Sequence, residues 1–249
     1  MSDLAQLTLM RPPAAQGFVW IKTGWQLFKH APVPWAGMTA LVFLILMGVG
    51  AIPHLGPIIL HALSPFVVAG FLAASRAAKQ GEVVNFLYLG HGFRESLQGL
   101  LLLGVAYMVC MFLIFKLVAF FTGGDLGLLT KQIENPNQLT PQEAEMLLQG
   151  IMPSLLLGSL FLVPLLMATW FSPGLILFES FPPAKAAWWS GWACLVNWRP
   201  ILVYSLSLSV MGMIALMIPL GLGLLIFIPW TLTSTYAAYE DIFGKVTSE

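Results

Sequence analysis

Charge is what this chain has least of. Of 249 residues only 9% are Asp, Glu, Lys or Arg, against about 25% in a soluble domain of average composition. So few charges cannot cover a water-facing surface, which excludes an ordinary soluble domain and leaves lipid as the main solvent. The 11 basic residues balance 11 acidic ones, so the basic surface that phosphate backbones require is missing and no nucleic-acid partner is expected. Cysteine is scarce too. Cys110 lies in an apolar run and Cys194 beside a tryptophan cluster; the two belong at different depths, so no disulfide is expected, and no Cys/His spacing suits a metal. The basic start, short apolar core and small-residue cleavage site of a signal peptide are absent, so the N-terminus is expected to be mature and retained. No nucleophile–base pair, phosphate loop or carboxylate pair stands out. The chain therefore reads as a non-enzyme without a cofactor.

What is present is apolar sequence, 58% of the chain. A spanning helix needs roughly 20 apolar residues, and six runs qualify: about Trp35–Ile52, Gly56–Ala78, Leu97–Phe121, Ile151–Phe178, Ile201–Ile218 and Leu220–Tyr239. Pro53-His-Leu-Gly-Pro57 and Pro219-Leu-Gly-Leu-Gly223 fit tight helix reversals. The middle pair is separated by a polar stretch over residues 122–150. Within it, Thr140 and Glu143 form a capping box with Pro141 at the first helical position, so a short helix should lead into the fourth span. Arg11, Lys22, Lys29, Arg76, Lys79, Arg94, Lys185, Arg199 and Lys245 fall on one side of such a six-span chain and Lys131 on the other. By the positive-inside rule both termini are expected in the cytoplasm, with the 122–150 loop outside.

Three aromatic segments precede the hairpins. Phe18, Ile21, Trp25 and Phe28 recur at helical spacing opposite Lys22, Gln26 and Lys29, the pattern of an amphipathic helix in the membrane plane. A second such helix is expected after Asn85 as N-cap, with Phe86, Leu89, Phe93 and Leu97 on one face. A third starts at Pro182-Pro183 and carries Trp188, Trp189, Trp192 and Trp198. Together with Trp35, the indoles of Trp20, Trp25, Trp188, Trp189, Trp192 and Trp198 fall at the cytoplasmic boundary. Indole rings favour the headgroup region, so these six form either a simple anchor or a collar that binds lipid or a partner.

The unit of amphipathic helix plus hairpin occurs three times, and each returning arm starts from a proline: Pro65, Pro164 and Pro229. Gly24-Trp25 with Pro32 matches Gly191-Trp192 with Pro200, and Ile52-Pro53 matches Ile218-Pro219. The fold expected is an all-α integral membrane protein, six transmembrane helices arranged as three parallel pseudo-repeats. All of 1–249 forms a single transmembrane domain, with units near 14–80, 83–180 and 182–244 arranged about a common axis.

The pattern of Gly24, Trp25, Phe28, Lys29 and Pro32, the turn with Ile52, Pro53, Gly56 and Pro57, and the tail Tyr239-Glu-Asp-Ile-Phe-Gly244 resembles an uncharacterised family of bacterial inner-membrane proteins. That family is related to the membrane domain ahead of some glycerophosphodiester phosphodiesterases. The resemblance covers nearly the whole chain and implies a bacterial inner (cytoplasmic) membrane location. The phosphodiesterase catalytic domain has no counterpart here, so its activity is not carried over. His54 and His61 and the enlarged outer loop depart from the family pattern.

Candidate chemistry is sparse. His54 and His61 flank the first outer turn, but two imidazoles fall short of the ligand set zinc takes, so no metal site is expected. Lys116 sits inside the third span, where it either snorkels outward or serves transport, with Asp125 as a partner. Thr169 and Ser172 lie beside Pro173 in a fourth span broken by proline, where a polar lining marks either a cavity or a kink. Glu179, Glu240-Asp241, Arg76 and Lys79 end spans four, six and two; equivalent exits should meet around the axis, as structural pairs or as a cavity rim. Ala69, Ala73 and Ala77, and Gly70, Ala74 and Ala78, form close-packing faces. The expected role is that of an envelope scaffold or accessory subunit of a membrane complex. Its partners would be membrane lipids, other membrane proteins or further copies of itself. The alternative is a transporter or lipid-handling protein with a cavity near Lys116, Thr169, Ser172 and Glu179.

Overall fold

A computed structural model of the chain describes residues 9–53, 55–122 and 140–244. The described residues form helices and no strands. In chain order these are α1 (Gln16–His30), α2 (Pro32–Gly50), α3 (Gly56–Lys79), a 3-10 turn (Phe86–Gly90), α4 (His91–Glu95) and α5 (Leu97–Thr122). There follow α6 (Pro141–Trp170), α7 (Ser172–Glu179), α8 (Pro183–Val196), α9 (Trp198–Met217), a second 3-10 turn (Pro219–Gly221) and α10 (Leu222–Phe243). Six segments are long and apolar enough to cross a membrane: α2, α3, α5, α6 with α7, α9, and α10.

Local chemistry explains most of the boundaries. Pro32 opens α2 because the first turn of a helix has no use for its missing N–H. Helix α3 ends at Gly81, whose φ of +82° costs glycine little; the Glu82 N–H then bonds back to the Ala77 carbonyl at 3.0 Å, closing the last turn. Pro65 inside α3 has no N–H for the His61 carbonyl four residues earlier. The Ser64 hydroxyl donates to that carbonyl instead, at 2.9 Å, so the proline is tolerated in apolar surroundings.

Two expectations change, and the broken fourth span is found as expected. The segment after Asn85 is not one amphipathic helix. Asn85 does cap it, accepting from the Leu87 N–H at 2.9 Å, but the chain makes a 3-10 turn and then the five-residue α4, ending where Ser96 leaves helical geometry. Gly90 and Gly92 weaken a longer helix, and Phe93 is held by stacking on Phe66 of α3 at 4.2 Å. The fourth span is two helices, because the chain bends at Phe171 ahead of Pro173. Finally, α1 is rotated relative to the expected face. Gly17, Trp20, Ile21, Gly24 and Phe28 are buried, whereas Phe18 is exposed.

That rotation follows from how α1 meets α10. A Cβ on Gly24 would lie 2.5 Å from the Ser234 backbone, so only glycine permits the approach. The contact brings the Trp230 indole N–H to the Ile21 carbonyl at 2.9 Å and the Thr233 hydroxyl to the Gly24 carbonyl at 2.9 Å. The 3-10 turn and α4 pack on α3 in the same way, against the backbone at Gly70, and α8 packs on α6 and α7. The predicted small face of α3 is buried, Ala69, Ala73, Ala74 and Ala77 included. Tyr204 of α9 is buried with its hydroxyl 2.8 Å from Ser234 and 3.1 Å from Thr235 of α10. Cys110 and Cys194 are unpaired.

Candidate functional site

Helices α3, α7 and α10 end together, and between their ends and the flank of α1 lies a groove of about 610 Å³. Its lining is largely polar and charged. Arg76 and Lys79 enter it from α3, Glu179 from α7, and Tyr236, Tyr239, Glu240 and Asp241 from α10; Trp20 and Thr23 of α1 complete the wall. These charges sit at helix ends because the apolar span before each of them leaves no other place for an ion.

Several of the groups are mutually satisfied. Lys79 Nζ lies 2.5 Å from Glu240 Oε2, and the other Glu240 oxygen accepts from the Tyr236 hydroxyl at 3.3 Å. The Trp20 indole N–H donates to Asp241 at 2.8 Å. Other groups are not. The Arg76 guanidinium stands over the Phe178 ring, 4.9 Å from its centre, and the Tyr239 hydroxyl is buried without a hydrogen-bond partner. Below the groove, Tyr239, Phe243 and Phe178 pack with ring centres 5.2 to 5.5 Å apart, and Phe171 meets Phe243 edge-on at 5.6 Å.

The break in the fourth span has its own architecture. Phe171 N–H should bond the Met167 carbonyl in an unbroken helix. Instead the Ser190 hydroxyl of α8 stands between them, accepting from Phe171 N–H at 2.9 Å and donating to the Met167 carbonyl at 2.6 Å. A side chain inserted into the ladder is one of the known causes of a kink, and Pro173 contributes a second by leaving the Thr169 carbonyl without its N–H. Ser172 is fully buried and its hydroxyl returns to the Ala168 carbonyl at 2.6 Å. The Thr169 hydroxyl bonds the Leu165 carbonyl at 2.9 Å.

The structure distributes the sequence-predicted residues among separate places. Glu179 lines the polar groove with Arg76, Lys79, Glu240 and Asp241, so the exits of spans two, four and six do meet. Thr169 lines a different, apolar groove of about 500 Å³ beside Pro173, shared with His61, Ser64 and Tyr107. Ser172 points into the kink, and Lys116 is exposed on α5 with its ammonium 5.5 Å from the Phe112 ring centre. Lys116, Thr169, Ser172 and Glu179 therefore share no cavity. His54, Lys131 and Asp125 lie outside the described residues; His61 stacks on Tyr107 at 6.0 Å.

The tryptophans divide as well. Trp20 and Trp35 are core residues, 1% and 0% exposed. Trp25 packs between Phe28 and Trp230, and Trp189 is half-buried. Trp188, Trp192 and Trp198 face outward, Trp188 at 73% exposure. Sequence reasoning missed Ser190 and Tyr239 as individual residues. Nothing local marks Ser190, whose partners are 19 and 23 positions away. Tyr239 opens the tail motif Tyr239-Glu-Asp-Ile-Phe-Gly244, which was a signal.

Aligned over 258 residues, the chain is 30% identical to a probable inner membrane protein of Burkholderia thailandensis, a match that covers 96% of this chain and 94% of that protein. No family profile matches the chain, and no solved structure does.

Proposed function

The chain belongs to the family of that Burkholderia protein and is a multi-pass inner-membrane protein; within that setting we propose that it acts without enzymatic chemistry, as an envelope scaffold or accessory subunit of a membrane complex. The observation that carries this reading is the closed axis. Where α3, α7 and α10 converge, Tyr239, Ile242, Phe243, Phe171 and Leu175 are all buried against one another. Among the described residues these packed rings fill the space where the three helices converge, which supports a fixed body over a rocking carrier. The outward indoles of Trp188, Trp192 and Trp198 supply rigid, amphipathic contact area of the kind found at interfaces. On this reading they form a lipid or partner collar.

The same proposal places both termini in the cytoplasm. Lys22, Lys29, Arg76, Lys79, Arg94, Lys185 and Arg199 cluster at the level of α1, α4, α8 and the span exits, and such clusters favour the cytoplasmic face. It also treats the chain as three parallel units, 14–80, 83–180 and 182–244. Support comes from the packing order: α1 rests on α10, the 3-10 turn with α4 on α3, and α8 on α6 and α7. Each entry segment leans on the returning span of the unit before it, and the first unit closes on the third. The matched glycines agree, since Gly24 faces Ser234 of α10 and Gly191 faces Ala168 of α6. Kinship to the membrane domain ahead of glycerophosphodiester phosphodiesterases is proposed on the motif residues Gly24, Trp25, Pro32 and Pro53 and on the tail motif.

Purification in mild detergent after crosslinking in cells tests the scaffold role. Membrane proteins should co-purify in fixed ratio, and replacing Trp188, Trp192 and Trp198 together by Ala should release them while the protein stays folded. Recovery of the protein alone, with and without the substitutions, would refute the reading. The lipid-handling alternative is favoured by the apolar groove beside Thr169 and Pro173. It predicts bound lipid that Thr169→Leu displaces.

A further inference from the structure

We propose that the polar groove at the ends of α3, α7 and α10 binds a phosphoethanolamine group, a phosphate beside a primary ammonium, and that a membrane lipid carries it. This goes beyond the scaffold role and does not depend on it. The argument is which groups remain uncommitted. Asp241 is held by Trp20, and Glu240 by Lys79 and Tyr236. Three groups lining the same groove are left over. The Arg76 guanidinium is exposed and has no hydrogen bond or ion pair with another described residue; it stands over the Phe178 ring and within electrostatic reach of the Tyr236 and Tyr239 phenols. The Glu179 carboxylate is half-buried and close enough to the Tyr239 phenol to interact with it electrostatically, but it makes no hydrogen bond or ion pair with another described residue. The Tyr239 hydroxyl belongs to a residue only 6% exposed and has none.

A cation and a carboxylate that line one groove without a direct ion pair between them fit a ligand carrying both charges. The guanidinium fork matches phosphate oxygens, the phenol O–H can donate to a third oxygen, and the carboxylate accepts from an ammonium that has N–H groups. A purely anionic ligand would set its charge against Glu179, Glu240 and Asp241 together. A purely cationic one would meet Arg76 and Lys79. A buried hydroxyl without a partner is costly to keep, which points to a ligand that satisfies it. The volume of about 610 Å³ falls within the usual range for small-molecule sites. The α1 wall includes Val19, next to Phe18, both exposed; that apolar shoulder gives acyl chains a place beside the headgroup and makes a lipid the favoured source over a soluble phosphoethanolamine.

Native mass spectrometry of the detergent-purified full chain, with lipid titrations followed by the change in its melting temperature, tests this. The probes are phosphatidylethanolamine, phosphatidylglycerol, phosphatidylcholine and soluble O-phosphoethanolamine. Phosphatidylethanolamine should bind about tenfold tighter than the other two lipids, because phosphatidylglycerol has no ammonium and phosphatidylcholine has no N–H. Arg76→Gln and Glu179→Gln should each weaken it about tenfold. Tyr239→Phe should weaken it several-fold without lowering the melting temperature, since that hydroxyl has no protein hydrogen-bond partner to lose. Competition by O-phosphoethanolamine at equal affinity would keep the recognised group and move its source to solution; failure to compete keeps the lipid. Equal binding of the three lipids, or wild-type binding by all three variants, overturns the proposal.

Discussion

Replacing Ser190 with Ala removes a hydroxyl that occupies the place of a helical hydrogen bond. Ser190 is fully buried, so no water stands ready to replace it. The variant leaves the Phe171 N–H without its acceptor and the Met167 carbonyl without its main donor. The carbonyl keeps a weak contact with the Cys194 thiol at 3.7 Å, so most of the loss falls on the N–H. An orphaned buried group costs about 1–3 kcal/mol, which puts Ser190→Ala at about 2–4 kcal/mol. The competing outcome is that the ladder heals, with Phe171 N–H bonding Met167 directly. Pro173 opposes that because its ring cannot sit against a straight preceding turn. Thermal unfolding in detergent, followed by circular dichroism, should therefore show a clear drop for Ser190→Ala. The drop should be smaller when Ser190→Ala is made in a Pro173→Ala background, where the helix is free to straighten. A Ser190→Ala variant as stable as the parent, or equal losses in both backgrounds, would refute the argument that Ser190 props the kink.

Gly24→Ala should destabilise the fold by about 1–3 kcal/mol or more through overpacking, because the new methyl would meet the Ser234 backbone; Gly48→Ala, with nothing within 4 Å of the added carbon, should lose nothing in the same melting experiment. Burial pushes the Cys194 thiol up to about 12, so it should resist maleimide at about pH 8, where labelling needs thiolate, and react only after denaturation in SDS; rapid labelling of the native protein would show that α8 is not packed as described. The Tyr88 hydroxyl donates to Glu82 at 2.7 Å, and that bond, with some burial and the carboxylate charge, holds its pKa above the ordinary tyrosine value. A folded pKa raised in this way means the contact supports the fold below the unfolded tyrosine value and is lost as pH rises through the folded one. Ultraviolet titration should show Glu82→Gln lowering that ionisation, and an unchanged titration would count against the contact.

Class, span number and the charged ends of the spans were legible in the chain itself, because a bilayer imposes them residue by residue. An apolar run of about 20 residues is a span wherever it packs, and an ion at its end marks where the apolar medium stops. The helix starts at Asn85 and Pro182-Pro183 were legible for the same reason, since such residues act within one turn of themselves. Pairing across the fold was not. Trp20 and Trp188 are both indoles in aromatic segments, yet one is core and the other faces outward, because Gly17 and Gly24 let α1 turn its tryptophan toward Asp241. Thr169, Ser172 and Glu179 are near in sequence but face a groove, a kink and a polar cluster in turn, since a 3.6-residue period and a bend at Phe171 point them apart. The sequence by itself determined that the polar exits of spans two, four and six would lie at one level of the membrane. Only the tertiary structure decided which of those polar groups are paired with one another and which, at Arg76, Glu179 and the neutral Tyr239 phenol, line the groove without a hydrogen-bonding partner, because that depends on distances between helices that no local pattern encodes.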